Sequence, residues 1–263
     1  VAAAERWLDG QHAIVTGASR GIGAAIASAL AGRGASLTIM ARSAEALDAR
    51  AAQLRKTHGV RAAAIVCDVS SDDSVQRGFA QAVAEHGPAT VLVNNAGIAK
   101  SHRFLDTTRA IWDETLAVNL TGVYLCTQQV LPAMLDGKYG RIVNIASTSS
   151  LRGYKTMAAY CAAKHGVLGL TRVLALETAA HGITVNAICP GYVETDILEQ
   201  AVQNLMSARK IGRDEARQML VRPIPTGRFT TVDEVASAVD WLCSPTASNV
   251  TGIAVPLTGG EVQ

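Results

Sequence analysis

The stretch His12-Ala13-Ile14-Val15-Thr16-Gly17-Ala18-Ser19-Arg20-Gly21-Ile22-Gly23, followed by the Ala-rich run Ala24 to Arg33, decides the fold. Its first five residues form an apolar run of strand length, and the run after Gly23 has helical character. Between them, three glycines take separate tasks. Gly17 permits a tight turn, Gly21 lets the backbone approach a pyrophosphate, and Gly23 allows helix and strand to touch. A helix opening here presents unpaired N–H groups and positive potential to an anion. The spacing is Gly-x-x-x-Gly-x-Gly rather than Gly-x-Gly-x-x-Gly, so the triplet alone is weak evidence; its place between strand and helix carries the reading. With Ser19, Arg20 and Ile22, this turn is expected to cradle a dinucleotide.

Outward from the turn, short Val/Ile/Leu runs alternate with Ala-rich helical segments. Strands are predicted at His12 to Thr16, Ser36 to Met40, Ala62 to Cys67, Thr90 to Asn94, Arg141 to Ala146, Thr184 to Cys189 and Ile253 to Leu257. Alternation of this kind predicts an α/β protein, a single Rossmann-like doubly wound parallel sheet of about seven strands with helices on both faces. No Pro/Ser-rich linker or repeat interrupts it, so residues 1–263 are expected to form one nucleotide-binding domain. The rhythm breaks between Gly191 and Arg228, where helical, charged sequence (Ile197 to Leu220) replaces a simple connection. A helical substrate lid over about residues 192–228 is expected there.

Composition narrows the partners. Lys and Arg total 24 against 22 Asp and Glu, a net charge of +2, too balanced for a nucleic-acid or membrane footprint. Hydrophobic residues at 49% and charged residues at 17% exclude disorder. No apolar run reaches the ~18 residues of a membrane span, and the N-terminus reads as carrying no targeting signal. Five widely spaced cysteines without a Cys-x-x-Cys pair read as buried thiols of a reducing compartment, which predicts a cytoplasmic protein. Three of six histidines stand with a glycine at the close of a predicted helix (His58-Gly59, His86-Gly87, His181-Gly182) and read as helix terminators. None has ligand spacing, so no metal site is expected.

Further motifs follow in order: Asn94-Asn95-Ala96-Gly97 ending the fourth strand, Asn119 on the next helix, Ser147 after the fifth strand, Tyr160-Cys161-Ala162-Ala163-Lys164, and Pro190-Gly191 after the sixth. Together with the Gly turn they resemble the classical short-chain dehydrogenase/reductase family over Thr16 to Gly260. The resemblance implies that Asp68, with Val69 beside it, meets the adenine, and that Asn95, Ala96 and Gly97 floor the cofactor cleft. It also implies that Pro190, Gly191, Val193 and Thr195 close the cleft on the far side, and that helices commonly pair into a homotetramer. The helix carrying Tyr160 is rich in Ala and Gly and suits such close approach.

The second strand ends at Met40-Ala41-Arg42-Ser43, without the carboxylate that would select a ribose hydroxyl. Arg42, aided by Ser43 and Arg20, suits a 2′-phosphate instead. NADP(H) is favoured and NAD(H) remains the alternative.

Tyr160 and Lys164 are one helical turn apart, about 6 Å along the axis. An ammonium there is expected to favour phenolate and bring the phenol toward working pH. Tyr160 then serves as acid/base, Ser147 orients the same substrate oxygen, and by resemblance Lys164 also holds the nicotinamide ribose while Asn119 maintains a water relay. A protein that kept the fold but served as a non-catalytic nucleotide sensor is the reading these four residues argue against.

The pocket itself is less explicit. Thr148 to Ser150, Leu151 to Tyr154 and Ile98 to His102 are expected to line it. Several segments, among them Pro190 to Thr195, resemble 3-oxoacyl thioester and polyketide ketoreductases. Others resemble 3-hydroxybutyrate dehydrogenases, whose carboxylate-gripping His and Lys are replaced here by Ser149 and Met157. Lid cations Arg209, Lys210, Arg213, Arg217 and Arg222 could meet the phosphates of a CoA or carrier-protein thioester. A ketoreductase and a catabolic secondary-alcohol or hydroxyacyl dehydrogenase both fit.

Overall fold

The computed structural model describes residues 5–262. Seven strands, β1 (His12–Thr16), β2 (Ser36–Ala41), β3 (Ala62–Val66), β4 (Val91–Asn94), β5 (Gly140–Ile145), β6 (Ile183–Pro190) and β7 (Ala254–Leu257), form one parallel sheet in the order β3-β2-β1-β4-β5-β6-β7. Chain order reverses between β1 and β4, and there the crossovers leave opposite faces of the sheet, opening a crevice beyond the strands' carboxyl ends.

Side-chain alternation explains why these strands read as continuous apolar runs. On β1, Ala13 and Val15 pack with Ile26 and Leu30 of α1 (Gly21–Gly32), Leu47 of α2 (Ala44–His58) and Val239 in the Val232–Cys243 helix. Ile14, between them, faces the other layer, where Val75 and Phe79 of α3 (Asp72–His86) meet Val130 in the Gly122–Asp136 helix. Both faces of the strand are therefore dry.

Three differences from the sequence expectation have local causes. Helix α1 begins at Gly21, three residues before the Ala run, because the glycine turn is itself the first helical turn. Gly59 and Gly182 adopt the expected left-handed caps, whereas Gly87 (φ 80°, ψ −176°) leaves its helix in an extended glycine conformation. Between α4 (Arg109–Leu116) and α5 (Gly122–Asp136) the chain widens into one π-type turn, Ala117–Thr121, which contains Asn119.

Helix α6 (Ala158–Thr178) carries Tyr160 and Lys164. After β6 come α7 (Asp196–Arg209) and α8 (Arg213–Val221), separated at Lys210, whose φ is 55°. They share a small apolar cluster of their own, Leu198, Val202, Ala216, Ile224 and Phe229. The last helix, α9 (Val232–Cys243), starts with a capping box between Thr231 and Glu234. Among the described residues, no helix is long and apolar enough to cross a membrane, and no group of three His, Cys, Asp or Glu could hold a metal ion. All five cysteines are unpaired; four are buried and Cys161, contrary to expectation, is half-exposed at the start of α6.

Candidate active site

A cleft of about 700 Å³ opens at the carboxyl ends of the strands. It brings together Gly17, Ser19, Arg20, Gly21 and Ile22 from the turn; Arg42 and Ser43 after β2; Asp68 and Val69 after β3; Asn95, Ala96 and Gly97 after β4; and Pro190, Gly191, Val193 and Thr195 after β6. Asn119, Ser147, Tyr160 and Lys164 line it too. Gly23 alone of the candidates does not face the opening. A Cβ there would collide with the Gly17 carbonyl oxygen and lie 2.5 Å from Asn95 Nδ2, so its work is to let α1 approach β1.

The turn is clamped from beneath. Asn95 Nδ2 donates to the carbonyls of Thr16 and Gly17 at 3.0 and 3.1 Å, while the Thr16 hydroxyl accepts the N–H groups of Asn95 and Ala96. Gly17 has φ +65°, and a Cβ there would stand 2.8 Å from Ala96 Cα. Only glycine satisfies both demands.

The residues fit a dinucleotide. No side chain caps the N-terminus of α1 and its first turn contains no acid, leaving its N–H groups to an anion. Asp68 Oδ1 accepts the Ser70 hydroxyl and N–H at 2.7 and 3.0 Å. Those bonds, with Arg42 adding its charge, hold the carboxyl below its ordinary pKa. Arg42 is exposed, and among the described residues it has no carboxylate at ion-pair distance.

At the other end of the cleft, Lys164 Nζ donates to the Ile145 carbonyl at 2.8 Å and lies 5.8 Å from the Tyr160 ring centre. The lysine is 4% exposed. Burial lowers its pKa to about 8. Tyr160 departs from expectation: removal of water around the phenol raises its pKa, and the partner working against this is the Ser147 hydroxyl rather than Lys164. Spacing put ammonium and phenol on one helical face, but in this arrangement burial decides the direction of the phenol's shift.

Asn119 is fully buried in the π-type turn. Its Nδ2 donates to the carbonyls of Thr115 and Ile98, both at 2.9 Å, and its Oδ1 accepts the Ile98 N–H at 3.1 Å. The widened turn frees backbone groups that this side chain engages, a common use of π-turns beside functional sites.

The expected pocket wall is only partly realised. Ile98 and Ser147 line the cleft, but Thr148 to Ser150 are buried in a 3₁₀ turn, and Leu151 to Tyr154 and Ala99 to His102 lie outside the lining. Of the lid cations, Arg213 pairs with Glu199 and Arg217 with Glu194, so neither is a free phosphate ligand. Tyr192, Glu194 and Asp196 also line the cleft and were not singled out in the sequence. Thr195 was expected at the cleft, whereas its neighbour Asp196 is brought toward the glycine turn only by the fold.

A phosphate-cradling turn at the switch point of a parallel sheet, sharing one cleft with Ser147, Tyr160 and Lys164, defines an α/β nucleotide-dependent oxidoreductase. The chain belongs to the short-chain dehydrogenase/reductase family: the short chain dehydrogenase profile matches residues 11–205. It is 38% identical over 253 residues to a 3-oxoacyl-acyl-carrier-protein reductase of Aquifex aeolicus, covering 96% of this chain and 98% of that one. It is also 38% identical over 257 residues to a D-beta-hydroxybutyrate dehydrogenase of Cupriavidus necator, covering 97% and 99%. Among solved structures, a single-site variant of actinorhodin polyketide ketoreductase with NADPH matches with a TM-score of 0.92 at 40% identity, covering 95% and 97%.

Proposed function

We propose that this enzyme is an NADP(H)-dependent ketoreductase that interconverts a 3-oxoacyl thioester, or a related ketone, with the secondary alcohol. The observation that carries the reading is the convergence of Ser147, Tyr160 and Lys164 on one cleft with the glycine turn and Arg42. When bound, the nicotinamide supplies or accepts the hydride. Tyr160 gives its phenolic proton to the carbonyl oxygen in reduction and takes it back in oxidation. Ser147 donates a hydrogen bond to the same oxygen and stabilises its developing charge. Lys164 holds the nicotinamide ribose and keeps a positive charge beside the phenol, while Asn119 fixes the backbone at Ile98 along a proton relay to solvent.

For the cofactor, Arg42 and Ser43 are read as the 2′-phosphate ligands, a reading supported by the absence of an acid at the end of β2 and by the NADPH in the polyketide ketoreductase structure. Residues 192–228 act as the lid of a single nucleotide-binding domain. Val173 and Leu176, 51% and 85% exposed on α6, support a tetramer-forming face.

The test is the rate of NADPH and NADH oxidation with acetoacetyl-CoA, a neutral 3-oxoacyl thioester, 3-oxobutyrate, cyclic ketones and aryl ketones. The proposal expects NADPH to be preferred and a thioester to be the better substrate. Preference for free 3-oxobutyrate with NADH would favour the hydroxybutyrate dehydrogenase reading instead.

A further inference from the structure

Two segments meet across the phosphate end of the cleft. Arg20 immediately precedes α1, and Asp196 is the first residue of α7. Arg20 Nη1 lies 3.1 Å from Asp196 Oδ2, with the side chains 79% and 73% exposed. Their neighbours touch as well: a Cβ at Gly21 would sit 3.4 Å from Thr195 Cγ2. Both charged residues line the cleft. Of the two guanidinium groups overlooking it, Arg42 has no carboxylate at ion-pair distance among the described residues, and Arg20 is held by Asp196.

Asp196 also has a second place to go. Thr195, the cap of α7, turns its hydroxyl to the Val193 carbonyl at 3.2 Å, so no side chain caps the N–H groups of this helix. A carboxylate in the first turn is favoured by those groups and by the helix dipole. Breaking its bond to Arg20 therefore leaves Asp196 with a local alternative.

We propose that Asp196 is a competitor for the nucleotide's phosphates: it occupies Arg20 in the free enzyme, gives it up when a phosphate arrives, and thereby sets the affinity for phosphorylated nucleotide. The inference rests on the nucleotide-binding reading above and adds a residue that tunes it. An exposed carboxylate–guanidinium pair is weak, whereas a phosphate brings more negative charge and bidentate geometry, so the exchange runs toward the ligand. The pair also ties the start of the lid to the glycine turn before the ligand enters, and the exchange releases that tie.

Calorimetric titration of the full chain with 2′,5′-ADP, ADP and 5′-AMP tests this without any turnover. Asp196→Asn is expected to tighten 2′,5′-ADP or ADP by about two- to fivefold at low salt. The gain should shrink at high salt, where screening reaches exposed pairs. It should vanish when Asp196→Asn is made in an Arg20→Gln background, since no guanidinium remains to be released. Unchanged affinity for both diphosphates, or a gain that persists without Arg20, would overturn the proposal. The NADP(H) preference is judged separately on the unaltered protein. Equal affinity for 2′,5′-ADP and 5′-AMP would defeat that preference, while the role of Asp196 would still be decided by the ADP titrations.

Discussion

Lys164 and His12 are both basic side chains sealed inside this protein, at 4% and 2% exposure, and they sit at opposite ends of the sheet. His12 begins β1. Its Nδ1 donates to the Gly87 carbonyl at 2.8 Å, which makes Nε2 the acceptor for the Thr38 hydroxyl at 2.9 Å. Neutral imidazole is thus satisfied at both nitrogens, and burial lowers its pKa to about 4. At neutral pH it carries no charge, so its burial costs little. Lys164 reaches the last residue of β5, has one carbonyl partner, and with a pKa of about 8 remains an ammonium at neutral pH. Burial works against that charge, so the fold bears a cost for holding it under working conditions. The amino-terminal end of the sheet is built for stability. The carboxyl-terminal end keeps a costly charge, the one that the proposed chemistry would use.

The sharpest way to break this contrast is Lys164→Met. If the ammonium serves turnover and burdens the fold, the variant loses at least about a hundredfold in kcat while its melting temperature rises or holds. A large fall in melting temperature would make Lys164 a structural residue like His12. Both quantities come from one preparation, by NADPH-coupled assay and thermal denaturation.

His12 makes the opposite prediction. Its folded pKa lies below the ordinary 6.5, so protons favour the unfolded chain. Stability is full above about pH 6.5 and falls as pH drops toward 4, by about 3 kcal/mol from this group. His58 and His86, also lowered by burial, add in the same direction. Chemical denaturation across that window should show the slope, and His12→Gln should flatten it. An unaltered slope would mean that His12 is not the buried neutral base described here.

Much of this contrast was legible before any coordinates, and some of it was not. The seven strands and the glycine turn follow from residue patterns that each strand carries within itself: Ala13 and Val15 on one side, Ile14 on the other, glycines where a Cβ has no room. Tyr160 and Lys164 could be paired because helical geometry is local. The sign of the tyrosine's shift was not legible, since it depends on how much water the surrounding elements exclude. Nor could spacing reveal the π-type turn at Asn119, whose side chain bonds to Ile98, twenty-one residues away. The pairing of Arg20, the candidate second cation, is hidden for the same reason: its partner, Asp196, lies 176 positions along the chain. The rest of the lid was legible as helical but not in its pairing, because Glu199 and Glu194 meet Arg213 and Arg217 only through tertiary packing.

A smaller effect sharpens the nucleotide side of the cleft. With Arg42→Gln, KM for NADPH should rise roughly ten- to hundredfold, the size of a lost charge-assisted contact, with KM for NADH little changed. Equal effects on both cofactors would mean that Arg42 does not meet a 2′-phosphate.

The central claim is that the Tyr160 hydroxyl moves the proton in a cleft whose nucleotide site is built independently of it. The most direct test is Tyr160→Phe, assayed side by side for ketone reduction and for NADPH binding by fluorescence. The account predicts turnover reduced by about a thousandfold or more with NADPH affinity within about twofold of the unaltered enzyme. Near-normal turnover with the phenol removed would contradict it.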